Sequence, residues 1–237
     1  MKRLILFVIT LLALLSTSIK AQDYNKPFQF GLMVAPSLGW LSPDVDNYKN
    51  DGVHAGFAWG FVSDIAISSN YFLTTGFNVQ YFNGKMNYPT TIIKEGTSDT
   101  YSGTLYRTYH LRYLEIPLML KMKTLALKPY RLFADIGFGL GFNLKAKADD
   151  SFLINDSPTG NNIVSSNTSI SNEVTTARLS FKIGGGMDFP LDGSTYLFTA
   201  IHLNSGLTDI LSGKNAKTSV EESASPSWLS LTLGIMF

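Results

Sequence analysis

From Tyr130 to Leu144 every second residue is apolar: Tyr130, Leu132, Ala134, Ile136, Phe138, Leu140, Phe142 and Leu144. Between them stand Arg131, Phe133, Asp135, Gly137, Gly139, Gly141 and Asn143. Successive side chains of a strand point to opposite faces, so one face here is bulky and greasy while the other is mostly small, polar or charged. Glycines and charges fit a narrow interior, and the bulky residues fit lipid. The pattern predicts a strand of a transmembrane β-barrel.

The same reading predicts eight strands, over 27–41, 54–68, 71–85, 105–123, 129–147, 176–191, 194–210 and 227–237. Each is long enough for the ~9–11 residues that a tilted strand needs to cross a bilayer. The connections alternate. Residues 42–53, 86–104, 148–175 and 211–226 are long, whereas Ser69-Asn70, residues 124–128 and Asp192-Gly193 are short. Asp-Gly is a favoured two-residue hairpin turn. Short periplasmic turns and long external loops are the expected asymmetry of an outer-membrane barrel, and an even strand number puts both chain ends with the short turns. The fold class is therefore all-β, an eight-stranded antiparallel transmembrane β-barrel. The Ser-, Thr- and Asn-rich stretch 148–175, with Phe152 its only aromatic, predicts a solvated surface loop.

The phase of each strand sorts its side chains. In the first, Phe28, Phe30, Leu32, Val34, Leu38 and Trp40 face lipid; in the last, Leu229, Leu231, Leu233, Ile235 and Phe237 do. In the seventh, Leu197, Ile201 and Leu203 face out, and Phe198, Ala200, His202 and Asn204 face in. Aromatic girdles are expected at both interfaces: Phe28, Tyr71, Tyr130, Phe189 and Phe237 at one rim, Trp40, Trp59, Tyr81 and Phe142 at the other.

Ahead of the strands, Lys2 and Arg3 precede an apolar run, Leu4 to Leu15, that only Thr10 interrupts, and a polar stretch ends at Ala21. This is the layout of a secretory signal peptide over 1–21, leaving a barrel domain over 22–237. The whole chain carries 19 basic and 18 acidic residues; without Lys2, Arg3 and Lys20 the basic count falls to 16, a net charge of −2. Nothing in this balance suggests a nucleic-acid partner. There is no cysteine, hence no disulfide framework. The outer membrane of a Gram-negative bacterium is the expected location, with its lipid as the surrounding partner.

The inner phase collects a candidate network of nine charges: Asp64, Glu115, Lys121, Arg131, Asp135, Lys145, Arg178, Lys182 and Asp188. An eight-stranded barrel has an interior that side chains fill, and an unpaired charge there costs several kcal/mol. The network is expected to plug the lumen. The three histidines, His54, His110 and His202, form no recognised catalytic spacing, although His202 lies near Ser205 and His54 near Asp51. No metal-ligand spacing is present, and no cofactor is implied. Gly184-Gly185-Gly186 lies inside a strand, where it suits close packing rather than phosphate binding.

The run Tyr113-Leu114-Glu115-Ile116-Pro117-Leu118-Met119-Leu120-Lys121 resembles the signature of the PorT family of outer-membrane barrels of the Bacteroidetes. Lys128-Pro129-Tyr130, leading into the glycine-alternating strand, and Ser205-Gly206-Leu207-Thr208-Asp209-Ile210 are similar to further family elements. The resemblance spans the mature chain and implies an outer-membrane barrel, the family taking its name from a component of the type IX secretion and gliding machinery. Pro117 removes a ladder donor, which predicts a bulge bringing Glu115 toward Lys121 or Arg131. The closing strand ending in Phe237 resembles the signal read by the barrel-assembly machinery, a transient partner. The expected function is non-enzymatic: a structural or interaction role in the cell envelope through external loops. The alternative is an accessory of type IX secretion, joined to envelope or secretion-complex proteins; a narrow channel and a barrel hydrolase are further alternatives.

Overall fold

A membrane-spanning sheet has no water to satisfy its edge, so it must close on itself. The computed structural model, which describes residues 26–93, 100–124, 130–154, 162–211 and 223–237, shows that closure. Its strands are β1 (Phe28–Pro43), β2 (Lys49–Asn50), β3 (His54–Ala66), β4 (Tyr71–Ile93), β5 (Thr100–Lys123), β6 (Arg131–Ile154), β7 (Asn162–Ser169), β8 (Ala177–Asp192), β9 (Thr195–Gly206) and β10 (Ala224–Met236). Eight of them form an antiparallel ring in the order β1-β3-β4-β5-β6-β8-β9-β10, and β10 pairs back onto β1. The short β2 pairs with β4, and β7 pairs with β6, both outside the ring. The expected signal segment 1–21 lies outside the described residues, and no described helix is long and apolar enough to span a membrane.

Burial runs opposite to that of a soluble barrel. The outward residues of β5 from Leu114 to Met122, and of β6 from Leu132 to Leu144, are exposed or half-exposed and almost all large and apolar, whereas Asp64, Glu115, Lys121, Asp135, Arg178 and Asp188 are buried. Nine residues of β5 make this apolar span, as a tilted crossing requires. Phe28, Tyr71, Tyr130, Phe189 and Phe237 are exposed at the short-turn rim, and Trp59 and Phe142 toward the other, whereas Trp40 and Tyr81 are half-buried.

Three connections differ from the expectation. β4 and β5 continue as a ladder from Met86↔Arg107 to Ile93↔Thr100, so much of 86–104 is strand rather than loop. β6 runs on to Ile154 and carries β7 on its flank, so the polar stretch 148–175 is largely a β-extension of the wall. Its inward residues Ala148, Asp150 and Phe152 are buried. The last hairpin turns at Gly193-Ser194, with Asp192 paired to Thr195; Leu191 forms a bulge that shifts the turn by one residue. Gly193 has φ 58°, a conformation glycine adopts without strain.

Pro117 produces no bulge. The β4–β5 register is the same at Thr75↔Leu118 and Asn78↔Glu115, with only the ladder interrupted between them, where Pro117 has no N–H to give. The register shift lies between Arg112 and Tyr113 on β5, facing Leu144 and Lys145 of β6. There one extra residue on β6 reverses its phase. Below the shift odd-numbered residues of β6 point inward; above it Ala146, Ala148 and Asp150 do.

Candidate functional site

The lumen is built in three layers. At the short-turn end, Asp64 accepts two hydrogen bonds from Lys121 Nζ (2.9 and 3.0 Å) and one from Thr74 Oγ1 (2.6 Å). Lys123 reaches Asp64 at 3.0 Å and Asp188 at 3.2 Å, and also donates to the Tyr196 hydroxyl at 3.0 Å. Phe72 and Tyr196 lie under its ammonium, 4.6 and 4.9 Å from the ring centres. Tyr196, Phe198, Met236 and Phe133 pack around these charges. Arg131 is half-buried and stands opposite Asp188 in the β6–β8 register.

The middle layer is centred on Glu115, which pairs with Arg178 at 3.2 Å and with Lys182. Arg178 also donates to Gln80, and its guanidinium is held between the rings of Tyr113 (4.1 Å) and Trp228 (4.6 Å). Glycine makes this possible: a Cβ at Gly141 would lie 2.8 Å from Arg178 Nε, and one at Gly184 would strike the His202 imidazole. His202 Nε2 lies 3.2 Å from Asp135 Oδ2, and its Nδ1 3.2 Å from Thr232 Oγ1. A cavity of about 80 Å³ opens among Glu115, Asp135, Lys182, His202 and Thr232. At ~10–15 Å³ of such space per water, it has room for several hydrating waters.

Above it sits an apolar cap of Leu41, Phe82, Met86, Tyr109, Leu111 and Trp228, joined by Ile170, Val174, Ile210 and Leu211 from segments that fold back over the mouth. The bridge Val174↔Leu211 ties those two segments together, with Thr175 donating its N–H to the Ile210 carbonyl at 2.9 Å and its hydroxyl to the Asp209 carbonyl at 3.0 Å. Higher still, Arg107 is buried, donating to both oxygens of Asp150 (2.6 and 3.0 Å) and to Glu173 (2.6 Å). Burial pushes the Arg107 pKa down, but the hydrogen bond to Asp150 together with the charges of Tyr109, Tyr88 and Asp150 outweighs it, so the pKa is raised. Stacked Tyr48 and Tyr88, with Leu105 and Phe152, form a further cluster above the membrane.

Of the nine charges expected inside, the structure draws Asp64, Glu115, Lys121, Asp135, Arg178, Lys182 and Asp188 into this network, with Arg131 at its edge. Lys145 is elsewhere: the β6 bulge turns it outward, and it is exposed. Lys123 takes its place inside, and it was legible, since it shares the odd phase of Glu115 and Lys121 along β5. Glu115 pairs with Arg178 and Lys182 rather than with Lys121 or Arg131. Asp150 and Glu173 lie in a stretch that reads as a loop, so nothing in the sequence pairs Arg107, although it shares the odd inward phase of Glu115 and Lys121 along β5.

Among the described residues, neither the His–Ser nor the His–Asp pair suggested by sequence proximity, His202 with Ser205 or His54 with the Asp51 carboxylate, is formed. Ser205 is exposed on the lipid face, while His202 points inward at Asp135 and Thr232. His54 approaches only the Asp51 backbone carbonyl, at 3.3 Å. His110, outside the barrel, lies between Asn83 (2.9 Å) and Asp149 (3.1 Å). Among the described residues no cluster of three or more His, Asp or Glu is placed to hold a metal.

A family model described as outer membrane protein beta-barrel domain matches residues 20–212. Among solved structures, the chain is similar to Neisserial surface protein A (12% identity, TM-score 0.41, covering 90% of this chain and 98% of that one). It is similar to the outer membrane protein OprG of Pseudomonas aeruginosa (10% identity, TM-score 0.41, 89% and 95% covered). A third is Ail, the attachment invasion locus protein of Yersinia pestis, in complex with the heparin analogue sucrose octasulfate (10% identity, TM-score 0.35, 90% and 100% covered). No curated protein matches the chain.

Proposed function

The chain belongs to the family of outer membrane protein beta-barrel domains, and from that membership we propose that it is a non-enzymatic protein of the cell envelope, working by interaction at its outer face. The observation that carries this is the wall above the membrane. β4, β5 and β6 are 23, 24 and 24 residues long, about twice what a crossing needs. Their outer parts are held by a buried Arg107–Asp150–Glu173 cluster and by packed aromatics, which makes them a platform rather than a set of loops. The lumen beneath is filled with paired charges and capped by apolar side chains, an arrangement that supports a plug over a channel. The partner is a second envelope protein. Mild-detergent capture of the tagged protein from its native membrane should recover a stable partner, lost when Arg107→Ala loosens the platform. A lone barrel, or equal recovery with the variant, would count against the reading.

A second reading is favoured by one observation. The Tyr113–Lys121 run resembles the PorT-family signature, which supports an accessory role in type IX secretion. Under that reading, a deletion strain retains secreted proteins inside the cell envelope. A normal secreted profile removes it.

A further inference from the structure

We propose that the outer rim of the β4–β5–β6 wall is a binding site for the phosphate groups of an outer-leaflet lipid. The bulge on β6 turns Lys145 out of the lumen. Leu144 and Lys145 are consecutive, and both are exposed. Directly opposite Lys145 on β5 is Arg112, and the next outward pair is His110 and Lys147. Just below them the outward residues are Leu114, Phe142 and Leu144, the last of the apolar band. At a rise of ~3.4 Å per residue, Lys145, Arg112 and Lys147 stand about one to three residues above that band, at headgroup level.

Among the described residues three of these cations form no salt bridge, although the charge of Lys147 is felt by Asp149. The Arg112 guanidinium lies over the Tyr81 ring at 4.6 Å, and its Nε is buried with no hydrogen-bond partner. Lys145 is exposed. Lys147 donates to the neutral Asn167 amide at 2.6 Å. The nearby carboxylates are already engaged: Asp149 accepts from the Asn167 N–H at 2.6 Å and lies against His110, and Asp51 pairs with Lys85 at 2.7 Å. The rest of the rim is different. On β1, β10 and β9 the same level is occupied by Trp40, Ser227 and Ser205, which face each other across the register. A guanidinium fork and two ammonium groups gathered at one side of the barrel, at the depth where lipid phosphates lie, suit a phosphorylated headgroup whose chains cover the apolar band.

The test uses the full-length mature protein in detergent, with bound lipid counted by native mass spectrometry. The probes are lipid A carrying its phosphates, lipid A with the phosphates removed, and inorganic pyrophosphate. The site predicts retention of the phosphorylated lipid over the dephosphorylated one. The neutral variant Arg112→Gln/Lys145→Gln/Lys147→Gln should lose roughly tenfold or more in affinity, on the usual worth of basic residues near an anionic surface. The charge-keeping variant Arg112→Lys/Lys145→Arg/Lys147→Arg should keep most of it, and heat-modifiable migration shows that both variants are folded. Equal retention of the two lipids, or undiminished binding by the neutral variant, overturns the proposal. Pyrophosphate binding as tightly as the lipid would reassign the site to a soluble anion and overturn it as well.

Discussion

The two sides of the barrel obey one rule inside the membrane and different rules above it. Along β8, β9, β10 and β1 the strands stop near the rim, at 16, 12, 13 and 16 residues. Along β4, β5 and β6 they continue, and their outward face switches from Leu114 and Phe142 to Arg112, His110 and Lys147 while the inward face stays closed with Tyr109, Leu105 and Phe152. Within the bilayer the outer surface must be apolar and the inner one can hold paired charge. Above it water takes the outer surface, and cohesion passes to the inner face. The long wall is therefore two structures in series, and the short wall only the first of them.

Lesions in the shared lumen should therefore weaken both walls, and lesions above the membrane only the long one. The largest effect is expected for Glu115→Ala, which leaves the buried Arg178 and the half-buried Lys182 without their carboxylate. Removing one partner of a buried pair costs ~3–5 kcal/mol, read as a lower urea midpoint in micelles. Arg107→Ala leaves Asp150 and Glu173 facing each other. Its cost is similar in kind but local: amide exchange should accelerate over 148–154 while 132–142 stays protected. Loss of protection along the whole of β6 would show that the two layers are one. Gly184→Val drives a side chain into His202, and overpacking of this sort costs ~1–3 kcal/mol, visible in the same urea titration. Phe237, whose N–H donates to the Phe30 carbonyl at 2.8 Å and whose ring packs on Phe30, closes the ring beside β1. Phe237→Ser should lower the yield of heat-modifiable barrel in the membrane.

The smallest effect concerns acid. The Asn167 backbone N–H, and then His110, hold the exposed Asp149 carboxyl below its ordinary value of 3.8. A carboxylate with a lowered pKa contributes fully above its unfolded value and loses that contribution as pH falls through the folded one. Exchange at the Asn167 amide should therefore speed up only below the ordinary aspartate pKa, with the short wall unaffected.

Much of this architecture was legible because a strand's period of two leaves little room for error where one face is lipid. β1, β9 and β10 read in the correct phase, His202 and Asn204 included, although β9 ends at Gly206 rather than at residue 210 and β10 begins at Ala224 rather than at residue 227. What was missed has specific causes. The bulge at Leu144-Lys145 gives no local signal: no glycine or proline marks it, and the apolar alternation simply ends there. Once the phase is lost, Lys145 and Ala146 are placed on the wrong faces, and Ala148 and Asp150 look like the start of a loop. The polar run that follows reads as solvated loop because one of its faces meets water, and its buried apolar residues Phe152, Ile170 and Val174 are too widely spaced to show a strand's alternation. Ion-pair partners were hidden for another reason. Glu115 and Lys182 lie on strands that are not neighbours, and only the closed ring brings them together across the lumen.

The central claim is a lumen sealed by paired charge and an apolar cap, with the protein's work done on its outer wall. Single-channel recording of the purified barrel in planar bilayers tests it most directly. A silent membrane, with insertion verified independently, is the predicted result; discrete, reproducible conductance steps from the wild-type protein would contradict it.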